Sequence, residues 1–141
     1  MTTRDFIAKT FDTRSDRERR CSSVFTDYNG TVFSYGYHYP LLFKVNGLSF
    51  VNVRGYSNTT AKHIGWARSA EPDAIPVILS RDDRAQFTDI HTLVSRLHEQ
   101  RDNIAKQMQA KTRKDTQVYK SLFRELMQVD RAIRQVQEAT A

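Results

Sequence analysis

The sequence has one cysteine, no long apolar run and no excess of acidic residues, and each scarcity excludes a class of protein. Cys21 is the only cysteine among 141 residues, so an intramolecular disulfide and an extracellular disulfide framework are excluded. No apolar run approaches the roughly 18 residues of a membrane span, and no charged-then-apolar leader opens the chain. We therefore expect a soluble, intracellular protein that makes no membrane contact.

The sequence also lacks the motifs of metal, nucleotide and catalytic sites. It contains no HExxH, no GxGxxG and no P-loop. A Ser57 or Cys21 nucleophile with His63 as base is conceivable, but Ser57 is better explained as a helix cap. The pattern predicts no enzyme, no cofactor and no metal site. It also predicts four solvent-facing histidines, at positions His38, His63, His91 and His98.

The charge balance is moderately basic. The formal net charge of +6 argues against a protein that imitates DNA through its own negative charge. No segment is strongly polarised, and Asp16 and Glu18 interrupt the arginines of residues 14–20. A dedicated nucleic-acid arm is therefore not indicated.

What the sequence does have is a period of two from residue 22 onward, interrupted by two Asn-Gly pairs. Asn-Gly between apolar-alternating runs favours a type I′ hairpin. At Asn29-Gly30, pairing of Tyr28 with Thr31 would place one row on a common face, namely Val24, Tyr28, Phe33 and Tyr35. The row Phe33, Tyr35, Tyr37 and Tyr39 is interpreted as an inner face of the sheet rather than a stacking platform for bases.

The second Asn-Gly pair, Asn46-Gly47, predicts a hairpin in which Val45 opposes Leu48. The same register places Phe43 opposite Phe50, a favourable aromatic pair across the strands. Together the two hairpins predict an antiparallel meander of about four or five strands.

A helix and a buried strand follow the meander. Ser57 or Asn58 can cap a helix that runs through Ala70, since a hydroxyl or amide oxygen accepts the free N–H groups of the first turn. Pro72 ends this helix, and the run IPVILS at 75–80 is typical of a buried strand.

The last third of the chain shows two runs with apolar residues at three-four spacing, the first capped by Thr88 or Asp89. A polar segment at 109–117 separates them and favours an αα-hairpin over one long helix. Each helix has one apolar stripe, which must be buried against its partner, the sheet or a second copy of the chain. A homodimer through these helices is therefore possible.

These patterns predict an α+β fold, an antiparallel meander sheet covered by one helix, with a C-terminal αα-hairpin. The predicted units are an N-terminal helix and loop at 1–21, the sheet with its covering helix at 22–82, and the helical hairpin at 86–139.

Two basic surfaces are the candidate binding sites for a partner protein or nucleic acid. On the 57–70 helix and the residues before it, cations and aromatic rings could meet phosphates and bases. The alternative is that Trp66 packs on the sheet beside Ile64 while the lysines form a solvated face. The candidates here are Arg54, Tyr56, Lys62, His63, Trp66 and Arg68. The tip of the αα-hairpin adds Lys106, Lys111, Arg113, Lys114 and Lys120.

The segments YGYHYP (35–40) and RGYSxTTxxH (54–63) resemble a family of small, uncharacterised proteins from bacteriophages and mobile elements. The likeness covers about residues 28–65. It implies a phage origin and no established chemistry. It also groups a set of residues into one structural or functional unit, namely Arg54, Tyr56, Ser57, Thr60 and His63.

The resemblance gives the functional expectation. Phage accessory proteins of this size often bind host machinery, and inhibitors of CRISPR effector nucleases are one such class. We expect a non-enzymatic phage protein that interferes with a host nucleoprotein, such as a CRISPR nuclease, in the cytoplasm of the infected bacterium. The alternative is direct, sequence-independent binding of DNA or RNA.

Overall fold

A computed structural model describes residues 1–55, 57–110 and 116–140 and contains one six-stranded sheet with helices on both faces. The helices are α1 (Thr3–Thr10), α2 (Asn58–Ala70), α3 (Ile90–Gln109) and α4 (Gln117–Thr140), with a 3₁₀ helix at Arg81–Ala85. The strands are β1 (Arg19–Cys21), β2 (Val24–Thr26), β3 (Val32–Ser34), β4 (Pro40–Val45), β5 (Leu48–Asn52) and β6 (Ile75–Val77). The α+β class and the C-terminal αα-hairpin are thus confirmed.

The sheet is a meander in chain order, antiparallel except for its last pair. The order is β1-β2-β3-β4-β5-β6, and β6 pairs with β5 in parallel after the crossover through α2. The predicted count of four or five strands was too low, because Arg19–Cys21 pairs with β2 as an additional edge strand. The last strand is also shorter than the run at 75–80 predicted.

The Asn46-Gly47 hairpin is confirmed in register and turn type. Val45 pairs with Leu48 and Phe43 pairs with Phe50, whose rings stack with centroids 5.8 Å apart. Both turn residues have the positive φ that a type I′ turn requires, 51° at Asn46 and 79° at Gly47.

The predicted register of the first hairpin was wrong by one residue. Phe25 pairs with Phe33, so Asp27 rather than Tyr28 stands opposite Thr31. The Asp27 carboxylate accepts hydrogen bonds from the N–H groups of Asn29 and Thr31, both at 2.9 Å, and this holds a longer loop. The shift places Val24 and Phe33, predicted on a common face, on opposite faces of the sheet. Tyr35 and Tyr37 of the predicted rows lie beyond the end of β3 and are exposed.

Two cores lie on opposite faces of the sheet. Helices α1 and α2 cover one face, where Ile7 of α1 and Ala67 of α2 share a core with Leu41 and Val51 of the sheet. The α3–α4 hairpin covers the other, where Phe43, Phe50 and Val77 meet a set of helical residues, Leu93, Leu97, Ala132, Ile133 and Val136. The apolar stripe that suggested a homodimer is therefore buried within one chain, and the homodimer itself stays a prediction.

Helix α3 is also joined to the free edge of β6. The Gln100 side chain accepts a hydrogen bond from the Ile78 N–H at 2.9 Å and donates one to the Pro76 carbonyl at 3.4 Å. Its amide thus pairs with the strand edge as a neighbouring peptide unit would.

Among the described helices, none combines the length and the apolarity that a membrane crossing needs.

Candidate functional site

Helix α2 begins as predicted and turns one side to the sheet. Ser57 is its N-cap, and the Ser57 hydroxyl accepts a hydrogen bond from the Thr60 N–H at 3.1 Å. The buried residues Thr60, His63 and Ala67 recur at helical spacing and define the inner side. The inner side packs against one face of the sheet, so only the outer side of α2 is accessible to a partner.

The structure divides the candidate residues of this helix. Lys62 and Arg68 are exposed, whereas Trp66 is half-buried and packs against the core beneath α2. His63 is 2% exposed, so the prediction of a solvent-facing histidine was wrong here. Tyr56 lies outside the described residues. The helix therefore does not present the predicted residues as one surface.

His63 is a buried polar link between α2 and the sheet. Its Nδ1 lies 2.6 Å from the Ser34 hydroxyl and its Nε2 lies 3.2 Å from the Ser23 hydroxyl. The ring also lies between Tyr35 and Trp66, with centroids 5.6 and 5.7 Å away. Burial lowers the pKa of His63 below its ordinary value of 6.5, because the charged imidazolium would lose its hydration.

The lowered pKa of His63 predicts a loss of stability in mild acid. As the pH falls, the unfolded chain binds the His63 proton first, near pH 6.5, while the folded chain resists it. The stabilising effect of the neutral ring is therefore complete above that pH and declines below it, by up to about 1.4 kcal/mol per pH unit. Urea unfolding between pH 8 and 5 should show a shallower pH dependence for His63→Gln than for the control His91→Gln. Equal pH dependence in the two variants would contradict the prediction.

Arg54 and Arg68, two candidates of the same predicted surface, line different depressions. Arg54 lines a cleft of about 570 Å³ with His38 and the 3₁₀ helix. Arg68 lines a groove of about 480 Å³ between α2, β6 and the αα-hairpin, where it shares the lining with Glu125 and Gln100. The two arginines therefore serve separate surfaces.

The hairpin tip lies partly outside the described residues. Lys106, in the last turn of α3, and Lys120, in the first turn of α4, are exposed on either side of the connection. The other three candidates, Lys111, Arg113 and Lys114, lie outside the described residues.

Lys120 belongs to a longer surface that the sequence interpretation missed. On the side of α4 opposite its buried stripe, exposed residues recur at spacings of three, four and seven. We call this surface the outer face of α4; it consists of Lys120, Phe123, Arg124, Met127, Arg131 and Arg134. Helical periodicity on the polar side of the helix was the signal that would have found it.

The cations of the outer face are not neutralised by carboxylates of the described chain. No ion pair within residues 1–55, 57–110 and 116–140 includes Lys120, Arg124, Arg131 or Arg134. The nearby Asp130 is engaged instead by Arg101, with Nε and Oδ1 3.1 Å apart. A carboxylate appears on this side only at Glu138, one turn beyond Arg134.

Two apolar side chains stand among these cations. Phe123 and Met127 are each 50% exposed, and their i,i+4 spacing makes them neighbours on the helix surface. The fold leaves about half of each apolar side chain uncovered. The outer face can therefore bind a surface that offers both negative charge and apolar area.

The described residues contain no group of three or more His, Cys, Asp or Glu side chains placed to hold a metal ion.

No protein-family model matches the sequence, and neither a curated protein nor a solved structure shows significant similarity to it. The exposed surfaces of the chain are therefore the basis for a functional proposal.

Proposed function

We propose that the chain is a non-enzymatic, phage-encoded binding protein that interferes with a host nucleoprotein in the cytoplasm of the infected bacterium. The observation that carries the proposal is the outer face of α4, with four unneutralised cations around two half-exposed apolar side chains. The partner would be a protein surface that is acidic and partly apolar. A CRISPR effector nuclease is the specific partner to test first, on the strength of the likeness to phage proteins.

The composition of the outer face favours a protein over a bare nucleic acid. Arginine, phenylalanine and methionine are enriched at protein interfaces, where aromatic anchors and arginines dominate the binding energy. A phosphate backbone would attract the cations but gain nothing from Phe123 and Met127. The face spans about 21 Å from Lys120 to Arg134 at 1.5 Å per residue, enough for a helix or groove of a partner.

Charge reversal on the outer face should abolish partner binding while the fold is retained. Arg124→Glu with Arg131→Glu changes two exposed side chains that have no ion pair among the described residues, so the melting temperature should move little. Inhibition of target cleavage by a guide-loaded CRISPR nuclease should fall at least about tenfold, as expected for loss of central interface cations. The matched control is Arg4→Glu with Lys9→Glu, which makes the same charge change on α1. Equal loss in both double variants would show that only net charge matters and would remove the outer face from the proposal.

Direct, sequence-independent binding of DNA or RNA is the alternative, favoured by the same row of cations. Phe123→Ser with Met127→Ser separates the two functions, because it leaves every charge in place. A protein partner should lose affinity in this variant, whereas duplex DNA, which the cations would bind through its phosphates, should not. The nucleic-acid probe is duplex DNA because a single strand could stack a base on Phe123. Direct binding to duplex DNA should also weaken with salt, by a log–log slope of about −0.9 per phosphate neutralised. A chain that binds no nucleic acid at low salt would remove the alternative.

A further inference from the structure

A second basic site lies away from the outer face of α4, in the cleft that Arg54 lines. We call it the arginine cleft; its lining residues are His38, Arg54, Arg81, Asp82, Arg84 and Ala85. The lining of this volume of about 570 Å³ includes three arginines and one acidic residue, Asp82. Within the described chain, none of the three arginines forms an ion pair with a carboxylate. The cleft thus concentrates positive charge in a concave site.

One wall of the arginine cleft is held by the end of β5 and by Tyr39. The Arg54 N–H donates a hydrogen bond to Asn52 Oδ1 at 3.1 Å, and the Tyr39 hydroxyl donates one to the Arg54 carbonyl at 2.6 Å. The Arg54 guanidinium lies over the Tyr39 ring, 5.4 Å from its centroid. Tyr39 is itself buried, and burial raises the pKa of its phenol to about 12, against the lowering effect of Arg54. Arg54 is therefore anchored on a rigid support.

The 3₁₀ helix supplies the other arginines of the lining and is held in place by Asp83. Asp83 is 3% exposed and accepts hydrogen bonds from Arg96 Nε at 2.7 Å, Arg96 Nη2 at 3.0 Å and the Ser80 N–H at 2.8 Å. These contacts hold the short helix on α3 and occupy the Asp83 carboxylate. Arg81 and Arg84 are exposed residues of the same short helix, and both line the cleft.

We infer that the arginine cleft binds a phosphate-bearing ligand of about nucleotide size. Planar guanidinium groups match phosphate oxygens with paired hydrogen bonds, and several of them can share a phosphate that carries more than one negative charge. The volume falls within the range of small-ligand sites, about 300–1,000 Å³, and exceeds what an isolated phosphate ion would fill. Asp82 can accept hydrogen bonds from a sugar hydroxyl or a base amino group, which inorganic phosphate does not have. The ligand is either a free mononucleotide or the phosphorylated end of a nucleic-acid strand.

Titration of the full-length chain with defined phosphates tests the inference. The probes are AMP, inorganic phosphate, and a four-nucleotide oligonucleotide with either a 5′ phosphate or a 5′ hydroxyl, all followed by calorimetry at low salt. We expect AMP or the 5′-phosphorylated strand to bind more tightly than inorganic phosphate. Preference for AMP identifies a mononucleotide site, and preference for the phosphorylated over the hydroxyl strand identifies a strand-end site.

The matched variants are Arg81→Ala with Arg84→Ala in the cleft and Arg14→Ala with Arg17→Ala in the exposed N-terminal loop. The cleft variant should lose at least about tenfold in affinity for the preferred ligand, the size expected for removed charge-assisted hydrogen bonds. The loop variant should bind as the parent chain does. Absence of binding to all four probes, or equal loss in both variants, would overturn the inference. Neither result bears on the outer face of α4, which shares no residue with the cleft.

Discussion

Replacing Asp83 with alanine is expected to lower the free energy of unfolding by about 3 kcal/mol, since it removes the buried partner of Arg96 and leaves that guanidinium only its ion pair with the exposed Glu99. The side chain of Asp83 is 4% exposed and that of Arg96 25% exposed, so the loss should lie at the lower end of the range for buried pairs. The measurement is urea unfolding at pH 7. The control is Asp82→Ala, which removes an exposed carboxylate one residue away and should change stability by less than about 0.5 kcal/mol.

The same pair sets a pH dependence of the same sense as that of His63, but in a more acidic range. Burial raises the pKa of Asp83, but the hydrogen bonds from Arg96 and Ser80 outweigh burial, and the net pKa lies below the ordinary value of 3.8. The stabilisation by ionised Asp83 is thus present above about pH 3.8 and is lost as the pH falls through the lower, folded-state pKa. In the Asp83→Ala variant, the part of the decrease in unfolding free energy at low pH that is due to Asp83 should disappear. An unchanged decrease below pH 3.8 would contradict the role assigned to the pair.

Replacing Phe43 with alanine is expected to destabilise the protein by about 4 kcal/mol, within the range for deletion of a buried phenylalanine. Phe43 is fully buried; its ring stacks on Phe50 and meets Phe87 edge-on, with centroids 4.9 Å apart. It also belongs to the core that joins the sheet to α3 and α4. The cavity left by the ring would therefore loosen the sheet and the αα-hairpin together.

Two probes can show whether the sheet and the αα-hairpin unfold as one unit. Trp66, the only tryptophan, lies on the opposite face of the sheet from the α3–α4 core. In the parent chain, the midpoint of its fluorescence change should coincide with that of the far-UV circular dichroism, which is dominated by helices. In Phe43→Ala the two midpoints should coincide again, at a lower urea concentration. The control Phe123→Ala removes a half-exposed ring and should leave the midpoint almost unchanged. Separate midpoints for the two signals would mean that the hairpin unfolds alone.

Features fixed by neighbouring residues could be predicted from the sequence. The Asn46-Gly47 turn, the Ser57 and Asp89 caps and the two C-terminal helices all follow from local chemistry. The first hairpin failed because the same Asn-Gly pair stands in a different context. Asp27 captures two N–H groups of the loop, and a Cβ on Gly30 would lie 2.5 Å from the backbone nitrogen of Thr13. Gly30 is thus required by close packing against a distant segment.

Much of the candidate site depends on contacts that no local pattern encodes. The serines that bind His63 lie 40 and 29 residues away along the chain, so its burial could not be predicted from spacing. The arginine cleft likewise combines His38, Arg54 and the 3₁₀ helix from three separate segments. The outer face of α4 differs, because its residues lie in one continuous helical stretch. Their helical spacing could have been recognised from the sequence if the polar side of the helix had been considered as well as the apolar stripe.

The contact between Gln100 and β6 prevents a further strand from pairing with this edge of the sheet. An incoming peptide would find the Ile78 N–H and the Pro76 carbonyl already engaged, and Pro76 has no N–H to donate. Recognition by β-augmentation, and edge-to-edge aggregation of folded copies, are both blocked at this border.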